Sequence, residues 1–163
     1  MPVKMRIPSK LPQFEKENIL ILVTGFQMAD FHMAGNGEIR KLKSIRVPRR
    51  KYSDDEGYFA SRSRTGKKRS GVVVSGAVRE YPKQAILQEF LKLLEPELKT
   101  IYKKEKISSI CLFSPNYAMN EVISAFPTAL KNKIKFSIKG NFSHYTMTAL
   151  LEKLDLKRKK LID

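Results

Sequence analysis

Few residues in this chain are spaced for chemistry on a substrate. The two histidines, His32 and His144, sit in different settings with no cysteine or carboxylate at ligand spacing, so no metal site is expected. Cys111 is the single cysteine, which excludes a disulfide scaffold and a cysteine-based zinc site. Its neighbours in Ile110-Cys111-Leu112-Phe113 are apolar, an interior that disfavours a thiolate, and it reads as core. Two-metal hydrolysis of a phosphodiester needs carboxylates clustered around cations a few ångströms apart. The first apolar run, Ile19 to Phe26, carries no acid, Asp30 is the nearest one, and Asp54-Asp55-Glu56 falls in a loop. Gly35-Asn36-Gly37 is a hairpin turn and not a strand-to-helix phosphate cradle. No catalytic residue, metal or small-molecule cofactor is expected, and the residues favour binding over catalysis.

Charge points to what is bound. Lys and Arg number 32 against 16 Asp and Glu, a formal +16. A surplus of this size is silent on fold but concentrates anionic partners, of which nucleic acid is the commonest. From Pro48 to Gly71 the chain carries eight cations against three acids, with Tyr52, Tyr58 and Phe59 as almost its only apolar material. Arg49, Arg50, Lys51, Arg62, Arg64, Lys67, Lys68 and Arg69 are therefore the expected RNA-binding residues. Interleaved cations and aromatics neutralise phosphates and stack on bases. Lys99, Lys103, Lys104 and Lys106 either extend this patch or complement a helix C-terminus.

The elements that must position these residues follow from periodicity. Ile19 to Phe26 reads as a strand buried on both faces. A second strand around Ala29 to Ala34 leads into Gly35-Asn36-Gly37-Glu38. Asn-Gly between two strand-like runs predicts a two-residue hairpin, because both residues tolerate positive φ. Ile39 to Val47 is the third strand, and its imperfect alternation allows a bulge. The basic stretch 48–71 reads as a long mobile loop, and Gly71 to Ser75 is ambiguous between strand and helix lead-in. Pro82 suits a first helical turn, and Ile86, Phe90, Leu93 and Leu94 form an apolar stripe that Leu98, Ile101 and Tyr102 continue. Pro96 is expected to kink or restart that helix. A buried strand over Ile107 to Phe113, a helix from about Tyr117 to Leu130 interrupted near Pro127, a strand over Lys133 to Lys139 and a last helix over Thr146 to Leu154 complete the chain.

The expectation is an α/β fold: a mixed five-stranded sheet, three antiparallel strands followed by alternating helix-strand units, ribonuclease H-like in order. Residues 1–18 read as an extended N-terminal arm, 19–156 as a single domain, and 157–163 as a basic C-terminal tail. No apolar run approaches the length of a membrane span. The first residues lack the apolar core of a signal peptide. No membrane partner is expected, and the cytoplasm is the expected compartment.

The strand order and several strings resemble the middle domain of archaeal and eukaryotic peptide-release factors and Pelota-type ribosome-rescue factors. Their small bacterial relatives, some labelled host-attachment proteins, are the nearest in pattern. The strings are Ile19 to Phe26, Ala29 to Ala34, Gly35-Asn36-Gly37-Glu38, Ile110 to Tyr117, Phe126-Pro127-Thr128-Ala129-Leu130-Lys131 and Thr146 to Leu154. The resemblance implies the ribosome or tRNA as partner. Release factors of this kind place Gly-Gly-Gln in the loop after the third strand to hydrolyse peptidyl-tRNA. Between Pro48 and Gly71 the chain holds Gly57 and Gly66 but no Gly-Gly and no glutamine, so that chemistry is unsupported. The sequence reading is a non-catalytic RNA-binding protein of the translation machinery. An enzyme acting on RNA or peptidyl-tRNA ranks second, and a basic protein-interaction module third.

Overall fold

Continuous and alternating apolar runs become strands here, and stripes at helical spacing become the helices that cover them. The computed structural model describes residues 3–25, 27–48 and 83–162. Its elements are β1 (Lys4–Arg6), β2 (Ile19–Thr24), β3 (Met28–Gly35), β4 (Glu38–Arg46), α1 (Lys83–Lys104), β5 (Ser109–Ser114), a 3-10 turn at Asn116–Ala118, α2 (Met119–Ser124), α3 (Thr128–Lys131), β6 (Ile134–Lys139) and α4 (Met147–Ile162). The strands form one sheet in the order β1-β4-β3-β2-β5-β6. β1 to β2 pair antiparallel through β4 and β3, and β2, β5 and β6 pair parallel. The mixed α/β expectation stands, with six strands in place of five.

The sixth strand is β1, in the segment read as an extended arm. Met5 lies opposite Ile39 on the edge of β4. Beyond it Ile7, Leu11 and Phe14 are buried in the core. The side chain of Gln13 ties this stretch down, its Nε2 donating to the carbonyls of Ile7, Pro8 and Leu11 at 3.3, 2.9 and 2.9 Å. Prolines break any period in such a segment, so its burial leaves no pattern to read.

The hairpin forms as its residues dictate. Gly35 pairs with Glu38, leaving Asn36 and Gly37 as the turn, at φ 50° and 76°. These are the two positive values of a type I′ turn. The bulge lies in β4: Phe31 faces Lys43 and His32 faces Lys41, which leaves Leu42 unpaired. A similar shift at Ile110/Cys111 skips Lys135 in β6. Ile134 therefore packs on one face of the sheet while Phe136 and Ile138 pack on the other.

Helices α1 to α3 cover the first face. Leu87, Phe90, Leu94, Leu98 and Ile101 of α1 meet Leu20, Leu22, Phe31 and Leu112. Leu93, expected in that stripe, is 42% exposed, and Leu87 takes the inward place. α1 runs unbroken through Pro96. Leu94 and Leu98 are fully buried on either side of it, so packing outweighs the one backbone bond that proline removes. Pro127, in contrast, does separate α2 from α3. The second face is covered by α4, through Leu150, Leu151 and Leu154, and by the arm residues Ile7, Leu11 and Phe14. α4 continues to Ile162, so Lys157-Arg158-Lys159-Lys160 are helical and not a trailing tail. Among the described residues no helix is long and apolar enough to cross a membrane.

Candidate nucleic-acid interface

All eight expected RNA-binding residues, Arg49, Arg50, Lys51, Arg62, Arg64, Lys67, Lys68 and Arg69, lie outside the described residues. So do Gly71 to Ser75 and Pro82. The structure does describe the two anchors of the intervening segment. β4 ends at Arg46 opposite Met28, and the Val47 N–H donates to the Gln27 carbonyl at 2.8 Å. The direction of α1 follows from two ion pairs, Lys43 with Glu97 and Arg40 with Glu105. As β4 advances toward its end, its partners on α1 move toward the helix start. Pro48 and Lys83 therefore stand at the same end of the sheet, beside the carboxyl ends of β2, β5 and β6. In open α/β sheets that is the end where ligands are held.

The described side chains at this end are small, polar or aromatic. Thr24 Oγ1 donates to the Phe113 carbonyl at 3.2 Å, satisfying a buried hydroxyl where β2 ends. Gly25 follows, and a Cβ there would stand 3.2 Å from Met28 Cγ and 3.7 Å from Ser143 Cβ. The Gly140 N–H donates to the Ser114 carbonyl at 2.9 Å and joins the ends of β5 and β6. Asn141 Oδ1 then accepts from the Ser143 N–H and Oγ at 3.4 and 2.9 Å. An edge-to-face ladder leads outward from the core: Phe113 to Phe142 at 5.0 Å, and Phe142 to Tyr145 at 4.8 Å. Tyr145 is 40% exposed and Tyr117 57%. Arg46, Lys139 and His144 are exposed at the same end. Exposed tyrosines and cations at one end of a sheet are the residue types that stack on bases and contact phosphates. Sequence reading missed both tyrosines. The available signal was an aromatic within a few residues of a strand-ending Gly-Asn or Ser-Pro.

Lys99, Lys103, Lys104 and Lys106 do not join this end. A 22-residue α1 is about 33 Å long at 1.5 Å per residue, and these lysines sit at its far terminus. Tertiary structure puts these cations at the end of the sheet opposite Pro48 and Lys83, and the basic stretch they were expected to extend lies outside the described residues.

Among the described residues two titratable groups are buried in the interior, His32 and Cys111. His32, in the middle of β3, is buried, and its Nδ1 has no hydrogen-bond partner among the described residues. Loss of hydration lowers its pKa to about 4; Asp30 opposes the shift and Lys41 adds to it. The imidazole is neutral at neutral pH and shielded from solvent. Burial pushes the Cys111 thiol far up, against a smaller pull from Lys157, so a thiolate nucleophile is disfavoured. Partial burial also raises the Tyr117 phenol. Among the described residues no three His, Cys, Asp or Glu side chains are grouped to hold a metal ion.

No protein-family profile matches the chain, and no curated protein matches it. Two solved structures show a distant likeness. One, with 11% identity and a TM-score of 0.42, is an archaeal translation termination factor, aRF1, matched over 89% of this chain and 39% of that one. The other is described as an archaeal protein, with 10% identity, a TM-score of 0.37 and the same two coverages. The chain spans 39% of the length of each. Likeness at these scores carries no argument about activity.

Proposed function

We propose that this protein is a non-catalytic RNA-binding protein that acts on the translation machinery, at the ribosome or on tRNA. One observation carries the reading. Eight cations in residues 49–69, part of a formal +16 surplus, are tethered between Pro48 and Lys83 at the carboxyl end of the parallel strands. A cationic segment that the chain enters and leaves at that end suits an anionic polymer with many phosphate contacts, and Tyr117 and Tyr145, exposed at the carboxyl ends of β5 and β6, are of the type that stacks on bases. The ribosome or tRNA, and a place among the small bacterial relatives of the Pelota and release-factor middle domain, rest on the strings quoted above. The cytoplasm is the compartment this reading needs. Lack of Gly-Gly-Gln in residues 48–71 favours binding without peptide release.

The test is RNA affinity at several salt concentrations for the wild type and for Arg62→Ala/Arg64→Ala/Lys67→Ala/Arg69→Ala. Each lost contact with single-stranded RNA removes about 0.7 from the slope of log affinity against log salt, so the slope should flatten by roughly two to three units. Co-sedimentation with ribosomes should accompany RNA binding, and an assay on peptidyl-tRNA separates binding from hydrolysis. A wild type that binds neither RNA nor ribosomes would overturn the reading and favour the protein-interaction module.

A further inference from the structure

The end of the sheet opposite Pro48 and Lys83 collects cations that are far apart in the chain. α1 ends there, because Glu105 is bonded to Arg40 at 2.8 Å and the Ser108 N–H donates to the Asn18 carbonyl at 2.8 Å, where β2 begins. α3 leads into β6 there, and Lys133 Nζ donates to the Ile107 carbonyl at 2.8 Å. α4 ends there too. The Arg158 guanidinium lies 5.3 Å from the ring centre of Phe14, whose carbonyl accepts from the Asn36 N–H of the hairpin turn.

This convergence brings Lys103, Lys104, Lys106, Lys131, Lys157 and Lys160 to one end, the first four on the side that α1 and α3 cover and the last two across the sheet on the side of α4. All but the half-buried Lys157 are exposed. None has a carboxylate partner within ion-pair distance among the described residues, whereas three nearby acids are taken: Glu95 by Lys99, Glu105 by Arg40 and Asp155 by Lys159. Glu15 and Glu17 flank Lys16 on the arm side and offset only part of the surplus. Complementing helix dipoles does not account for it either. The C-termini of two long helices present roughly half a negative charge each, about one in all, against six cations. Tyr102 is 42% exposed, one helical turn from Lys99 and adjacent to Lys103. An exposed ring among lysines suits a nucleotide base better than an acidic protein surface.

We infer that this lysine-rich end is a second RNA-contact surface, taking the phosphates of single-stranded or looped RNA independently of residues 49–82. The inference rests on the RNA-binding reading above but concerns a different part of the molecule. Strands of six residues hold the two ends about 20 Å apart at 3.3 Å per residue, so one protein would touch two separate RNA segments.

The experiment uses a fluorescein-labelled RNA hairpin with a single-stranded loop and the full chain carrying Lys103→Gln/Lys104→Gln/Lys106→Gln/Lys160→Gln. The expected result is a salt slope smaller by roughly two to three units than wild type, at about 0.7 per lysine. Combining this variant with the arginine variant should add the two losses, since the sites are distant. Because a quadruple variant can misfold, lysine acetylation of the wild type is read by mass spectrometry with and without the hairpin. RNA should protect Lys103, Lys104, Lys106 and Lys131. An unchanged slope in a folded variant, or no protection at these lysines while the wild type binds RNA, overturns this inference and leaves the first reading standing. Protection by phosphatidylserine vesicles without protection by RNA overturns it in favour of a membrane surface. Absence of any RNA binding by the wild type overturns both.

Discussion

On one face of the sheet Leu20, Leu22, Phe31, Ile110 and Leu112 meet three helices, and on the other Ile19, Ile21, Cys111 and Phe113 meet one helix and an arm that is irregular beyond β1. The first face buries Thr24 and Ser114, both at strand ends and both hydrogen-bonded. The second buries His32 in the middle of β3 with Nδ1 unpartnered. A helix brings its apolar stripe as a unit, whereas an arm must be pinned residue by residue, as Gln13 does here. Among the described residues the one buried side-chain nitrogen without a partner lies on the side that the arm shares.

Four measurements sharpen or break that contrast. The largest effect is expected from Leu112→Ala on the helix-covered face, where the side chain is fully buried. A loss of about 2–5 kcal/mol in urea unfolding is expected; less than about half a kcal/mol would remove β5 from the core. On the other face, Phe14→Ala tests whether the arm is a structural cover. Phe14 is 5% exposed under Arg158, and about 3 kcal/mol should be lost. An unchanged denaturation midpoint would make the arm an ornament and the contrast empty.

His32 gives the second face a pH dependence. Its folded pKa, about 4, lies below the ordinary imidazole value of 6.5, so on acidification the unfolded chain takes the proton first. Stability is therefore fully present above pH 6.5, declines as pH falls toward 4, and levels off below. The span corresponds to about 3 kcal/mol. His32→Leu should flatten this part of the curve and cost little at pH 7, since it also removes an unpartnered nitrogen. A wild-type curve already flat between pH 6.5 and 4 would refute the role of His32. The smallest effect belongs to the hairpin that serves both faces. Gly37 at φ 76° should tolerate alanine at a cost of about 1 kcal/mol, and a stabilised Gly37→Ala would contradict the turn geometry.

Legibility followed the same division. The strands at Ile19 to Thr24 and Ser109 to Ser114, the Asn36-Gly37 turn and the inward residues Phe90 and Leu94 were readable because local period or turn chemistry agrees with the final contacts. β1 and the buried Ile7, Leu11 and Phe14 were not, since their burial comes from partners far along the chain. Pro96 suggests a kink or restart because propensity alone disfavours it, yet α1 continues past it with Leu94 and Leu98 packed on either side. Of the candidate interface, composition revealed the basic segment, whose cations lie outside the described residues. That Tyr117 and Tyr145 follow strands ending at the same end of the sheet needed the fold.

By itself the sequence determined the apolar and alternating runs, the one tight hairpin, the mixed α/β order and the cationic surplus, because each is a property of neighbouring residues or of their sum. Only the tertiary structure decided that the arm closes the second face and that α4 extends through Lys160. It also decided that the lysines of α1 and α4 share one end while Pro48 and Lys83 share the other. Helix direction sets those ends, and that direction comes from contacts between residues distant in the chain, Arg40 with Glu105 and Phe14 with Arg158, which no local window contains.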